Sequence, residues 1–324
     1  QIQFYCINAI KIAEEIGLGN RINMIMQGAF FKLADILPPE EAKNYLKQAI
    51  RKAYGKKGEQ IIQMNEEAVE HGFTDLVKID VPVHWKDCKD VNAGQSCCQC
   101  KEPEFVASIM RPMNRQEGDR LAVSAFSGIE DGTFPNGTSA YEKRGIAVNV
   151  PEWNAHTCIQ CGQCSFICPH ACVRPFLLTA EEKAAAPETF HTQPAKGKGL
   201  EQYAYRIQVS TMDCTGCGNC ADICPAQPKA LVMKKLATQT DTEVPNWKYA
   251  TVSVTDKGSQ FAGTNVKESQ FKKPLMEFSG ACAGCGEPAY IKLVTQLFGD
   301  RMMIANATGC SSIWGASAPT TAYT

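Results

Sequence analysis

The sequence has almost no surplus of charge. Its 33 Lys and Arg stand against 34 Asp and Glu, a formal net charge of −1 over 324 residues. That balance leaves no electrostatic footprint for nucleic acid or an anionic membrane surface. No apolar run reaches the ~18 residues that a membrane-spanning helix needs. No basic-then-apolar segment opens the chain, so we expect a protein that is neither secreted nor membrane-spanning. Wholesale disorder is excluded by composition, since 44% of the residues are apolar and ample for buried cores. A disulfide framework is excluded as well, because such frameworks staple short secreted domains that lack a core. Length alone predicts about two domains.

What the sequence does have is cysteine, 17 in all. Eight of them fall into two copies of one pattern. The first is Cys158-Ile-Gln-Cys161-Gly-Gln-Cys164-Ser-Phe-Ile-Cys168-Pro169, and the second is Cys214-Thr-Gly-Cys217-Gly-Asn-Cys220-Ala-Asp-Ile-Cys224-Pro225. Both read C-x2-C-G-x-C-x2-I-C-P, a bacterial signature of paired iron–sulfur sites in which the fourth cysteine ligates the other cluster. Three thiolates two residues apart lie on one tight loop that can wrap a corner of a cubane. Gly162 and Gly218 let the backbone approach, where amides can hydrogen-bond sulfur. The fourth cysteine is expected to open a short helical turn, with Pro169 or Pro225 turning the chain away. One cluster is then expected on Cys158, Cys161, Cys164 and Cys224, and the other on Cys214, Cys217, Cys220 and Cys168. Structural zinc also uses paired C-x2-C, but it needs no third C-x2-C step.

The remaining cysteines are less regular. Cys282-Ala-Gly-Cys285-Gly286-Glu287 sits in a Gly-rich loop, and Gly309-Cys310-Ser311-Ser312 follows Met302 to Thr308, which reads as a short buried strand. On spacing alone these three cysteines are either a C-x2-C redox pair with an unrelated buried cysteine, or a metal set one ligand short. Cys6, with Ala9, Ile10 and Ala13, reads as core packing on a helix face. Cys172 reads as a bystander. Cys88, Cys97, Cys98 and Cys100 match no familiar metal spacing.

Along the chain, residues 1 to about 77 look helical. Pro38-Pro39-Glu40-Glu41 is a helix start, followed by Ala42, Tyr45, Leu46, Ala49, Ile50 and Ala53 at helical spacing and ended by Gly55. A second helix is expected from Lys56 to His71, closed by Gly72. Gly17-Leu18-Gly19 lacks the third glycine of a phosphate loop and reads as a helix C-cap and turn. Val81 to Trp85 and Leu121 to Phe126 are strand-like, and Asp131 to Thr138 is dense in turn residues. The two motifs are separated by residues 169–213, which include a helix-like Thr179 to Ala186. Asn136-Gly137-Thr138 and Asn306-Ala307-Thr308 fit a glycosylation sequon, which an iron–sulfur protein in a reducing compartment would not use. The chain opens on Gln1 inside a helix-like segment and stops at Thr324 inside another motif, which reads as an internal piece of a longer polypeptide.

Taken together, these residues resemble the pyruvate:ferredoxin (flavodoxin) oxidoreductase family. The resemblance is carried by Gly19-Asn20-Arg21-Ile22-Asn23-Met24 with Ala29 to Leu33, by Asp131 to Pro135 through Tyr141 to Gly145, by both cysteine motifs, and by Cys282 to Glu287 with Gly309 to Gly315. It implies an α/β and α+β multidomain protein with a bacterial-type two-cluster ferredoxin-like domain. That domain is flanked by part of one α/β domain and the start of a thiamine-diphosphate-binding α/β domain. The implied divisions are 1–90 (C-terminal part of a coenzyme A-associated domain), 91–136 (linking), 137–254 (two 4Fe-4S clusters) and 255–324 (start of the thiamine diphosphate domain, truncated).

The resemblance also implies that Cys282, Cys285 and Cys310 hold a third 4Fe-4S cluster whose fourth ligand lies elsewhere. Glu287 and Cys310 would touch thiamine diphosphate, held with Mg2+ at a site only partly present, and no catalytic residue is expected within 1–324. The implied reaction is oxidative decarboxylation of pyruvate with coenzyme A to acetyl-CoA and CO2. Electrons would leave singly through the clusters to ferredoxin or flavodoxin, in a homodimeric enzyme of the cytoplasm or of a reducing organelle such as a hydrogenosome. Alternatives are another 2-oxoacid oxidoreductase, an NADP-linked fusion homologue, a stand-alone two-cluster ferredoxin, or a zinc-bound structural protein.

Overall fold

The computed structural model describes residues 3–82 and 102–324. The chain divides into two compact units, 1–99 and 100–324. The cysteines at 88, 97, 98 and 100, and residues 83–85 of the expected strand, lie outside the described residues.

The first unit is a helical bundle with a short antiparallel strand pair. Strand β1 (Phe4–Cys6) pairs with β2 (Val77–Ile79), Tyr5 lying opposite Lys78. Between them run α1 (Ala9–Glu15), α2 (Asn23–Ala34), α3 (Pro39–Tyr54) and α4 (Glu59–Thr74). Helix α3 starts on Pro39 with Glu40 and Glu41 in its first turn and ends with Arg51 and Lys52 in its last, so its charges oppose the helix dipole at both ends. It buries Ala42, Leu46 and Ile50 against a core that includes Ile12, Ile25, Ile62, Val69 and Phe73. Three expectations are corrected. Cys6 lies on an exposed strand, not a helix face. The second helix runs from Glu59 to Thr74, not from Lys56 to His71. Gly72 does not close that helix but lies inside it, where α4 crosses α2. A Cβ on Gly72 would run into the Ile25 carbonyl, and one on Gly28 would stand 2.6 Å from the Val69 carbonyl oxygen. Close helix contact, not helix ending, explains both glycines.

The second unit opens with a helical stretch, Val106–Met110, continuing into α5 (Arg111–Asn114). Its centre is a repeated strand–loop–helix–strand module. The first copy is β3 (Asn149–Trp153), α6 (Gln163–Ile167) and β4 (Val173–Leu178). After an insert carrying α7 (Ala180–Ala184) and β5 (Gln193–Pro194) comes the second copy: β6 (Ala204–Val209), α8 (Asn219–Asp222) and β7 (Leu231–Lys235). All pairings between the copies are antiparallel: β3 with β7, and β4 with β6, which also holds β5. Each copy therefore lends one strand to each sheet of its twin, as pseudo-symmetry requires. Helices α9 (Thr240–Val252), α10 (Val266–Phe271), α11 (Glu287–Phe298) and α12 (Cys310–Ala316) complete the unit.

Two strand expectations fail here. Val123–Phe126 is a 3-10 turn with Val123 91% exposed, so the segment has no face to bury. Residues 302–308 form no strand, and Met303 is fully exposed. Both segments have apolar strand formers but no neighbouring strand to take up their backbone hydrogen bonds.

Candidate metal centres

In each copy the first two cysteines lie on the loop between strand and helix, and the third, Cys164 or Cys220, sits in the first turn of the helix. The loop is tight because Gln160, Gly162, Gly216 and Gly218 all adopt positive φ (60°, 76°, 70° and 83°). The glycines answer that requirement directly. At Gly216 a Cβ would also stand 2.8 Å from the Asn149 carbonyl oxygen. The fourth cysteine does not open a helical turn as expected. It follows one: Cys168 caps the C-terminus of α6, and Cys224 comes just after α8. This placement swings it out of its own loop.

The eight thiols line two cavities. One is bordered by Cys158, Cys161, Cys164 and Cys224, with Trp153, Tyr205, Ile207 and Leu231 among its walls. The other is bordered by Cys168, Cys214, Cys217 and Cys220, with Pro151, Val173 and Met233. Each cavity thus draws three thiols from one motif and one from the other. None of the eight is in a disulfide.

The donor set fits an iron–sulfur cluster on several counts. Backbone amides point at the sulfurs: Gln160 N–H at Cys158 (3.4 Å), Gly216 N–H at Cys214 (3.4 Å) and Ala230 N–H at Cys224 (3.3 Å). The first two are equivalent positions of the repeat. The buried Trp153 indole N–H has no oxygen partner and faces the Cys158 sulfur. Apolar walls with N–H donors aimed at sulfur are the outer shell such clusters use. Burial pushes the Cys214 thiol up to about 12 and raises Cys164 and Cys220 still further. Bound iron, a concentrated positive charge, would hold these groups as thiolates. Cys168 goes the other way, held well below the usual thiol range by the Cys172 thiol beside it, with Lys292 also contributing. Cys172, expected as a bystander, is 1% exposed and forms part of the second cavity's wall.

The third set is arranged differently. Cys282 and Cys310 are exposed and Cys285 is half-buried. Cys310 and Glu287 are the first residues of α12 and α11, and Glu287 is exposed. A small core ties these elements together: Met276, Ala281, Trp314 and Ala322, with Cys285, Ile291 and Tyr323 packed on it. The C-x2-C loop lies against the second cavity, where the Gly284 amide approaches the Cys217 sulfur and a Cβ on Gly284 would stand 3.5 Å from Cys217 Cβ.

Two features lie outside the cysteine pattern. The first is Lys292, 1% exposed on α11, whose ammonium donates to the carbonyls of Ser165, Phe166 (3.2 Å) and Cys168 (3.1 Å). Burial lowers it to about 8. The second is the run Glu142-Lys143-Arg144. Lys143 pairs with Asp213 at 2.5 Å, next to Cys214. Glu142 accepts from the Thr320 hydroxyl at 2.7 Å, and Arg144 pairs with Glu142 and reaches the Ser279 carbonyl at 3.4 Å. Three consecutive charged residues thus join the second motif to both flanks of the third-site segment.

Two cavities, each lined by four motif thiols and related by a repeated strand–loop–helix–strand unit, have the arrangement of an iron–sulfur dicluster module. Residues 157–228 match the family described as the 4Fe-4S dicluster domain. Residues 1–74 match pyruvate ferredoxin/flavodoxin oxidoreductase, and residues 95–147, which include the Glu-Lys-Arg run, match a domain of unknown function. Over its whole length the chain is 58% identical to a pyruvate-flavodoxin oxidoreductase of Enterobacter agglomerans and 54% identical to the pyruvate:ferredoxin oxidoreductase of Moorella thermoacetica. It is 46% identical to a mitochondrial pyruvate dehydrogenase (NADP+) of Euglena gracilis. The chain spans 27% of the length of each of the first two and 18% of the third. The resemblance to pyruvate:ferredoxin and pyruvate-flavodoxin oxidoreductases therefore runs along all of this chain and about a quarter of theirs.

Proposed function

We propose that this chain is the electron-transfer section of an oxidoreductase that decarboxylates pyruvate with coenzyme A and passes electrons singly to ferredoxin or flavodoxin. The observation that carries this reading is the grouping of eight thiols into two cavities, each sharing one cysteine with the opposite motif. In the assigned scheme Cys158, Cys161, Cys164 and Cys224 ligate one 4Fe-4S cluster, and Cys168, Cys214, Cys217 and Cys220 ligate the other. Cys282, Cys285 and Cys310 contribute to a third, completed by a ligand outside these residues. Glu287 and Cys310 belong to the edge of a thiamine diphosphate–Mg2+ site. The clusters, when bound, supply one-electron redox chemistry. The chain's own part is to exclude water with Trp153, Tyr205 and Leu231, to aim amides at sulfur, and to hold the third-site loop against Cys217.

The four divisions 1–90, 91–136, 137–254 and 255–324, and a homodimeric enzyme in a reducing compartment, complete the proposal. Among the described residues no helix is long and apolar enough to cross a membrane. Anaerobic reconstitution of the chain with iron and sulfide tests the assignment. We expect about eight iron and eight sulfide per chain, two cubanes, in a brown preparation. About four iron, or a colourless zinc-bound product, would overturn it.

A further inference from the structure

Lys292 is buried against the end of the helix that joins Cys164 of one cavity to Cys168 of the other. It reaches from α11, the helix that follows the Cys282–Cys285 loop, to the C-terminal end of α6, the helix that carries Cys164 and is capped by Cys168. Its three acceptors are the carbonyls of Ser165, Phe166 and Cys168. An ammonium has three N–H donors and no lone pair. Three carbonyls around one Nζ therefore select the charged form, since a neutral amine would turn a lone pair toward an oxygen.

Capping alone does not account for this side chain. The last carbonyls of a five-residue helix can be satisfied by a glycine turn or a neutral amide. Burying an ammonium instead costs several kcal/mol before its contacts are counted. A charge kept at that cost acts on whatever charge lies nearby. The thiols of Cys168 and Cys164, one from each cavity, both lie within its electrostatic reach. Arg174, the other cation near it, is already paired with Glu277.

We propose that Lys292 is a positioning residue of the electron path: a fixed buried cation that raises the reduction potential of the dicluster, foremost of the cluster sharing Cys168, and ties the third-site helix to α6. The inference rests on the cluster assignment above. Reduction adds one negative charge to a cluster, and a cation at short range in a low-dielectric interior favours that state.

The test is an EPR-monitored redox titration of the reconstituted chain, with iron counted for each sample. Lys292→Met should retain about eight iron, while the Cys168-sharing cluster becomes harder to reduce by about tenfold in its equilibrium constant, about 59 mV for one electron. The other cluster should shift less, and Lys292→Arg should stay near the parent. A parent chain without clusters would defeat the cluster assignment itself. Full iron with unmoved potentials in Lys292→Met would defeat only the role of Lys292. Should Lys292→Met fail to hold iron, Lys292→Gln, which keeps donors without charge, decides the matter. The same downward shift supports the tuning role, and an unmoved potential refutes it. Iron loss in both neutral variants but not in Lys292→Arg would make the lysine an assembly element and refute it too.

Discussion

A cysteine two residues from its neighbour tells little about which cavity it lines; the backbone angle between them tells more. Gln160 and Gly216 occupy equivalent left-handed positions whose amides both point at the sulfur two residues back. The turn geometry that gathers three thiols therefore also supplies the N–H donors around them. The fourth cysteine is separated from that loop by a helix of one turn, so its sulfur belongs to the other cavity. Cys168→Ser should then remove about half the iron and erase the spectroscopic signature of the cluster held by Cys214, Cys217 and Cys220, leaving the other intact. Loss confined to the cluster of Cys158, Cys161 and Cys164 would refute the crossed assignment. The spacing within each motif is a local property and marks each set of three cysteines, whereas the crossing is expected from the duplicated signature. Lys292 gave no such signal, since its acceptors lie more than 120 residues away in sequence.

At the level of elements, apolar spacing and capping residues were reliable guides where local order decides structure. Helix α3 begins on Pro39 and ends at Tyr54 as its sequence implies, and Thr179 with Glu182 forms a capping box at the start of α7. The errors fall where a partner decides. Glycine commonly ends helices, yet Gly72 serves the crossing of α2 and α4, which only the folded bundle contains. Gly72→Ala should destabilise the first unit by about 2–4 kcal/mol, as overpacking against backbone does. Thermal unfolding followed by far-UV circular dichroism would measure this, and a change within about 0.5 kcal/mol would contradict the crossing. Glu182 ties α7 to the segment after α9. It accepts from Thr255 N–H and Lys257 Nζ, each at 2.8 Å. Burial alone would raise its carboxyl, but Lys257 and Thr255 outweigh that and hold it at about 2. Its folded value lies below the unfolded one, so its stabilisation is present above pH ~4.5 and lost as pH falls toward 2. Chemical denaturation of the parent and Glu182→Gln between pH 7 and pH 3 should show a gap of up to about 3 kcal/mol that closes on acidification. A gap that does not change with pH would show that the carboxylate charge is irrelevant.

Across the second unit, the dicluster module and the third-site segment are interlaced. Residues 137–139 bond to residues 319–323, Glu277 N–H donates to the Ala322 carbonyl, and Phe278 N–H donates to the carbonyl of His170. The Glu142-Lys143-Arg144 run adds its ties to Asp213, Ser279 and Thr320. These contacts fix the Cys282–Cys285 loop against the cavity of Cys217. Electron transfer between centres depends on such fixed short separations, so the run has a structural reason to lie beside the motifs. The run belongs to the Tyr141 to Gly145 stretch that carries the resemblance, but its ties to Asp213, Ser279 and Thr320 are visible only in the fold.

The crossed thiols also bear on the order in which the two sites can be completed during synthesis. As the chain leaves the ribosome, Cys158, Cys161, Cys164 and Cys168 emerge together, yet they line different cavities. A nascent chain that has reached residue 213 holds the four cysteines of the first motif and no complete four-thiol site. The second cavity gains its last thiol only at Cys220, and the first only at Cys224. Clusters on the proposed ligands could be closed only once both repeats exist, and the two sets of thiols are completed within four residues of synthesis of each other.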